Sequence, residues 1–255
     1  MAVAPIALAM AAHPTLESYD LSSLRYMVWG ATPFAPSVAE IVSRRAGVRW
    51  VIAYGASEVP VIACNPLHAP RLDTVGPAVP GVEVRIVAAD TGEIASIGEA
   101  GEVQVRSDSM MAGYLPEDAS TEAFASGWYR TGDIGTVDAD GYLRITDRLK
   151  EMIEVRGFQV APAEIEAVLH RHPSVADCAA FGVPDAVDGE AIVIAVEPRA
   201  EVEAAELISF VRERLASCKQ PRVVLFVAQI PHSASGEVLR RMLKEVYQPP
   251  PETII

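Results

Sequence analysis

The stretch "YRTGD" (129–133) sets an arginine, a threonine, a glycine and an aspartate on what reads as a tight turn between strands. A carboxylate fixed there can accept two hydrogen bonds from a vicinal diol, the group a ribose offers. Asp133 would equally serve as a cap for local backbone donors. Further on, "DRLKEMIEVRGFQVAPAEIE" (147–166) gathers Arg148, Lys150 and Arg156 around a glycine and a proline-started helix. That is a basic cluster for an anion, or a plain solvated hairpin. Near the end, "QIPHSASGEVLRRML" (229–243) is a loop of small polar residues leading into a helix opened by two arginines. Gly236 permits backbone angles that other residues resist, so the loop can approach a ligand closely. A loop poised against an anionic substrate should carry a cation, yet its charged residue is Glu237.

These residues need elements to hold them. "LRYMVWG" and "VRWVIAYG" are short apolar runs suited to buried parallel strands, and "PSVAEIVSRRAG" between them has helical spacing and a terminal glycine. Together they predict a βαβ unit within residues 1–70, whose ligand sites lie beyond the carboxyl ends of the strands. Two loops fall there, "GATP" (30–33) and "YGASE" (54–58), and each reads equally as an ordinary strand-ending turn. Residues 71–146 alternate apolar and polar positions between Gly, Asp-Gly and Thr-Gly turns, which predicts an antiparallel small barrel or curved sheet. "VDADGYLRI" is its clearest hairpin, and "PEDASTEAF" supplies one short helix. From residue 147 to 255 the order hairpin, helix, strand, strand, helix, strand predicts a compact α+β domain.

Bulk properties narrow the class. The 255 residues are 50% hydrophobic and 22% charged, a globular balance. A formal net charge of −13 argues against a broad footprint for nucleic acid or anionic lipid, though not against a local arginine cluster on a phosphate. Cys64, Cys178 and Cys218 lie far apart with no CxxC pair, which fits reduced, buried thiols in a cytoplasmic protein. "MAVAPIALAMAAH" lacks the basic start of a signal peptide and reads as a helix within the fold. No run reaches the roughly 18 apolar residues of a membrane span. The final "QPPPETII" reads as a loose tail.

The order of these pieces resembles the adenylate-forming superfamily of acyl-CoA synthetases, aryl-CoA ligases, luciferases and peptide-synthetase adenylation domains. "DLSSLRYMVWGATPF" looks like the strand and loop of the acyl pocket, and "YGASE" is similar to Tyr-Gly-x-Thr-Glu. "GWYRTGDIG", "DRLKEMIEVRGFQVAPAEIE" and "PHSASGEVLRRML" follow in family order, the second in the style of the acyl- and aryl-CoA ligase branch. The resemblance implies an α/β fold plus α+β fold. Residues 1–146 would be the end of an AMP-binding N-terminal domain (1–70 α/β, 71–146 barrel-like), and 147–255 a mobile C-terminal domain. It implies activation of a carboxylic acid with ATP and Mg²⁺ to an acyl-AMP, then transfer to CoA. By position, Gly30, Ala31 and Thr32 would line the acyl and adenine pocket. Tyr54, beside Gly55, would stack on adenine, and Ser57 would touch the α-phosphate. Glu58 would help hold Mg²⁺, a hard cation that prefers oxygen ligands. Asp133, assisted by Arg148, would bind the ribose hydroxyls; Asp147 would be the hinge, and Gly157 would let the backbone approach pantetheine.

Two departures accompany the resemblance. It begins at about residue 5, already beyond the place of a phosphate-cradling loop of the kind TSGTTGxPKG, and no such stretch occurs here. The expectation is a fragment of a longer product, or a chain that pairs with a separately encoded N-terminal half or a second copy. The family also places a lysine after Ser-Gly near the C-terminus, where this chain has Glu237, and another lysine after the isoleucine where it has Glu154. Three readings follow: an acid–CoA ligase seen in part and inactive alone, a binding module for AMP or CoA, or a partner that completes another chain.

Overall fold

The computed structural model describes residues 4–30, 36–88, 91–115, 118–233 and 236–247. The chain divides into two compact units, Met1–Leu149 and Lys150–Ile255.

In the first unit, helix α1 (Ala4–Ala12) packs beside α2 (Pro36–Ala46). Strands β1 (Tyr26–Trp29) and β2 (Arg49–Tyr54) pair in parallel on either side of α2, with Val28 opposite Val51. This is the predicted βαβ unit. Gly47, at φ 69°, ends α2 in the left-handed conformation. Its core joins Ala7, Trp29, Val42 and Trp50, the two tryptophan rings meeting edge to face at 5.4 Å. Arg45 fixes α1 from outside: its guanidinium donates to the Ala11 carbonyl at 2.8 Å and the His13 carbonyl at 2.6 Å, and pairs with Glu17 at 2.5 Å. A cation on the last carbonyls of a helix satisfies acceptors that have no partner within it. Strand β3 (Ala63–Cys64) adds antiparallel to β2.

The rest of this unit is a six-stranded sheet built from β4 (Gly76–Pro77), β5 (Val82–Val87), β6 (Gly101–Ser107), β7 (Phe124–Ala125), β8 (Trp128–Val137) and β9 (Tyr142–Arg148). Its order is β4-β9-β8-β6-β5, with β7 beside β8. Of the two shapes predicted, the open sheet forms: β4 and β5 are its ends and do not pair with each other among the described strands. The β8–β9 hairpin turns at 138–141, where the Asp138 carboxylate accepts from the backbone N–H groups of Asp140 and Tyr142 at 3.0 and 2.9 Å. Helix α3 (Asp118–Ala123) precedes β7.

"YRTGD" does not form a turn between strands. It lies within β8, where the register against β6 slips between Glu102 and Gln104. Gly132, at φ 67°, takes up the bulge. A glycine and a small hydroxyl residue signal a chain reversal and a bulge alike, and pairing on both sides of β8 decides for the bulge.

The second unit contains β10 (Ile153–Val155), β11 (Phe158–Val160), α4 (Pro162–Leu169), β12 (Val175–Asp185), β13 (Gly189–Pro198), α5 (Ala204–Arg212), β14 (Val223–Phe226) and α6 (Arg240–Val246). The sheet runs β11-β10-β13-β12, with β14 parallel to β13. Alternate residues of β12 enter two cores. Cys178 and Ala180 face Ile165, Leu169 and Leu207 of α4 and α5, whereas Ala179 and Phe181 face Ile230 and Leu243. A period of two places both sets at once. All three cysteines are free; Cys178 is buried, and that burial pushes its thiol well above the ordinary range. Among the described residues no helix is long and apolar enough to cross a membrane.

Candidate functional site

Asp133 and Arg148 are cross-strand partners in the β8–β9 ladder, so register alone brings them together, Nε to Oδ1, at 2.9 Å. The bulge releases the Asp133 N–H from β6; it donates instead to Thr131 Oγ1 at 3.0 Å, whose hydroxyl donates to the Val103 carbonyl at 2.8 Å. Tyr54, the last residue of β2, donates its phenol to Oδ2 of Asp133. Burial, and then the charge and hydrogen bond of Asp133, push the Tyr54 phenol far above its usual range, so it stays a neutral donor. Asp133 itself is 6% exposed. A carboxylate oriented by a phenol and a guanidinium is an acceptor-only group, and a cis-diol brings two donors. The residues present therefore fit a ribose.

Glu58 lies in the loop after β2. Its backbone carbonyl accepts from the Met111 N–H at 2.9 Å, and its carboxylate accepts from the Tyr114 hydroxyl. Burial opposes ionisation of Glu58, but hydrogen bonds from Tyr114, its own backbone and Tyr129, with the charge of Arg148, prevail and hold its pKa below the usual value. Arg148 thus acts on both carboxylates. Tyr114 and Tyr129 flank Phe124, with ring centroids 5.9 and 5.3 Å from it. Among the described residues no group of three His, Cys, Asp or Glu stands ready for a metal. A lone carboxylate is nonetheless the kind of ligand Mg²⁺ takes together with substrate phosphates.

The neighbouring positions are less chemical. Gly30 is buried at the end of β1, while Ala31 and Thr32 lie outside the described residues. Gly55 is exposed, and a Cβ there would overlap the Pro60 carbonyl, so the glycine is needed for the turn closed by the Ala56 N–H to the Val59 carbonyl at 2.9 Å. Ser57 is exposed in the same loop. Sequence reasoning missed Tyr114, Tyr129 and Thr131. Nothing in the spacing of an aromatic 56 residues from Glu58 announces the contact.

In the second unit, β10 and β11 form a hairpin across Arg156 and Gly157, at φ 54° and 78°. Two successive left-handed residues make the turn that matches strand twist. Arg156 tolerates that conformation under restraint from Asp188: its N–H donates to the Asp188 carbonyl at 2.8 Å, and its guanidinium grips the Asp188 carboxylate at 2.7 and 3.1 Å. Arg222 binds the same carboxylate. Gly157 is exposed at the tip. Glu154 is exposed on β10, its N–H held by Glu190 at 2.8 Å. A cavity of about 280 Å³ beside this turn is lined by Arg156, Asp188, Cys218 and Arg222 among others. Glu237 is exposed beside Gly236, its N–H donating to Ser233 Oγ at 3.1 Å. His232 anchors this loop: one ring nitrogen lies 2.7 Å from Asp177 and the other 3.1 Å from the Gly236 carbonyl. Asp147 lies on β9, and the border between the units falls just after it, at Leu149–Lys150.

The chain is similar to known proteins along most of its length. The profile of the AMP-binding enzyme family matches residues 1–115, and that of the AMP-binding enzyme C-terminal domain matches residues 164–237. 4-Coumarate--CoA ligase-like 9 of Oryza sativa subsp. japonica is 42% identical over 258 residues, covering 96% of this chain and 46% of its own length. Among solved structures, the amide bond synthetase McbA from Marinactinospora thermotolerans superposes with a TM-score of 0.86 at 38% identity, over 94% of this chain and 50% of its own. ATP-bound MatB from Rhodopseudomonas palustris gives a TM-score of 0.88 at 30% identity, over 95% and 49%. The chain spans about half the length of the curated relatives it matches.

Proposed function

We propose a function from one fact as premise: the chain belongs to the AMP-binding, adenylate-forming enzyme family. On this reading it supplies the ribose grip and the C-terminal unit of an ATP-dependent acid–thiol ligase, which joins a small carboxylic acid to AMP and passes the acyl group to CoA. The observation that carries it is the buried Asp133 held between Tyr54 and Arg148. That arrangement orients a carboxylate for a diol, and MatB, a structural relative, was solved with ATP bound. Glu58 would hold Mg²⁺, which when bound offsets phosphate charge; Tyr54 and Ser57 would contact adenine and the α-phosphate. Asp147 would be the hinge, and Gly157 would leave room for pantetheine.

Glu237 and Glu154 favour a second reading, binding without efficient turnover. Each stands where the resemblance places a lysine. Attack of a carboxylate on ATP brings anions together, so cations must offset the charge that builds at phosphorus. A carboxylate instead adds repulsion of about 4 kcal/mol for like charges 4 Å apart at an effective ε near 20. At 1.36 kcal/mol per tenfold, that is about three orders of magnitude in rate. Acid-dependent ATP–pyrophosphate exchange tests both readings. The expected result is AMP binding by calorimetry with no exchange from this chain alone; robust exchange without an added partner would overturn the second reading, and absence of AMP binding would overturn both.

A further inference from the structure

We infer that Tyr114 is a positioning residue for Glu58, fixing its carboxylate for a divalent cation on a nucleotide. This rests on the nucleotide reading above and deepens it. The loop after β6 reaches Glu58 twice, through the Met111 N–H to its carbonyl at 2.9 Å and through the Tyr114 hydroxyl to its carboxylate. Tyr114 is itself held. Its N–H donates to Ser120 Oγ at 2.7 Å, from the first turns of α3, and its ring packs on Phe124 at 5.9 Å. Gly113 allows this approach, because a Cβ there would meet Ser120 Oγ at 2.8 Å. A line of contacts therefore runs Ser120, Tyr114, Glu58, anchored on a helix at one end.

The physical consequence is preorganisation. Glu58 stands in a half-exposed loop of bends, where a carboxylate would otherwise sample several rotamers. A phenol donor on Oε1 selects one of them. Mg²⁺ and Mn²⁺ prefer near-octahedral sets of oxygen ligands, so a carboxylate fixed in advance binds the ion–phosphate pair better than a mobile one. The Tyr114 phenol has no such role towards the ribose, which Asp133 and Tyr54 address separately. The inference thus predicts a split between ligands with and without the metal.

The test is calorimetric titration of the full chain and its variants with AMP alone and with Mn²⁺·ATP. Tyr114→Phe is expected to weaken Mn²⁺·ATP about tenfold, the scale of one hydrogen bond to a charged group, while AMP binding stays within about twofold. Glu58→Gln should show the same loss for Mn²⁺·ATP. Ser120→Ala, which leaves the phenol in place but removes its anchor, should give a smaller loss and serves if Tyr114→Phe does not fold. Equal loss of AMP and Mn²⁺·ATP in Tyr114→Phe would make its role structural and overturn the inference, as would unchanged Mn²⁺·ATP affinity in Tyr114→Phe or Glu58→Gln. If the parent chain binds neither ligand, the nucleotide reading itself falls, and this inference with it.

Discussion

Replacing Asp133 by Asn separates the charge of the ribose grip from its shape. Asp133 accepts from Tyr54 on one oxygen and from Arg148 on the other at 2.9 Å. An amide accepts on one side only and turns an NH₂ donor towards the remaining donor. Hydrogen bonds to charged groups contribute about 1.5–3 kcal/mol each. The guanidinium side chain is 52% exposed, so its part is screened to about 1 kcal/mol or less. The Tyr54 contact, with its phenol buried, therefore sets most of the stability change, about 2 kcal/mol. For a nucleotide the loss is larger in effect, because both ribose hydroxyls meet a weaker acceptor; affinity for AMP should fall about 10–100-fold at 1.4 kcal/mol per tenfold. A second signal comes from Tyr54. Two of the three influences that raise its phenol, the charge and hydrogen bond of Asp133, disappear while burial remains. Spectrophotometric titration of Asp133→Asn should then show a tyrosine ionising at lower pH than in the parent chain. A folded Asp133→Asn that binds AMP within about twofold of the parent would refute the proposed grip.

In a chain completed with an N-terminal half of the family, Glu237→Lys should raise acid-dependent pyrophosphate exchange, by up to about a thousandfold if like-charge repulsion near 4 kcal/mol is what limits it; an unchanged rate would show that charge at this position is not limiting. Gly55→Ala forces a Cβ onto the Pro60 carbonyl, an overpacking of about 1–3 kcal/mol, and a thermal melt should fall by about 5 °C; an unchanged melting temperature would mean the turn yields freely. The Arg45 guanidinium, first by its hydrogen bond, lowers the Glu17 pKa from 4.5 to about 2. A depressed carboxylate contributes stability that is present above 4.5 and is lost as pH falls towards 2. Arg45→Met should therefore flatten the acid limb of stability in melts across that range, and an unaltered limb would contradict the assignment.

What the sequence made legible follows periodicity and local chemistry. The βαβ run and the Asp138–Gly141 hairpin follow from local periodicity and turn chemistry within each element. "YRTGD" was misread because Thr-Gly-Asp carries the same local signal in a turn and in a bulge, and only pairing to strands on both sides tells them apart. Tyr114 and Tyr129 were invisible for a related reason. Tyr114 meets Glu58 across loops whose separation carries no period, and Tyr129 reaches it from β8, so only the packing of sheet and loop reveals either contact. Family order reached Asp133, Arg148 and Tyr54, and the ladder register supplies the mechanical reason two of them meet. The restraint of Arg156 by Asp188 likewise depends on two hairpin tips 32 residues apart.

Charge balance is what divides the two functional readings. Around Asp133 and Glu58, among the described residues, the Arg148 guanidinium acts on both carboxylates. A nucleoside monophosphate or an acyl-adenylate adds a single phosphate to that set; a triphosphate adds three. Each uncompensated like-charge contact near 4 Å disfavours the complex by about 4 kcal/mol at an effective ε near 20. A divalent ion at Glu58, on the proposed reading, would add two positive charges to that set. On the proposed reading, a ligand with one phosphate would meet less uncompensated charge than ATP.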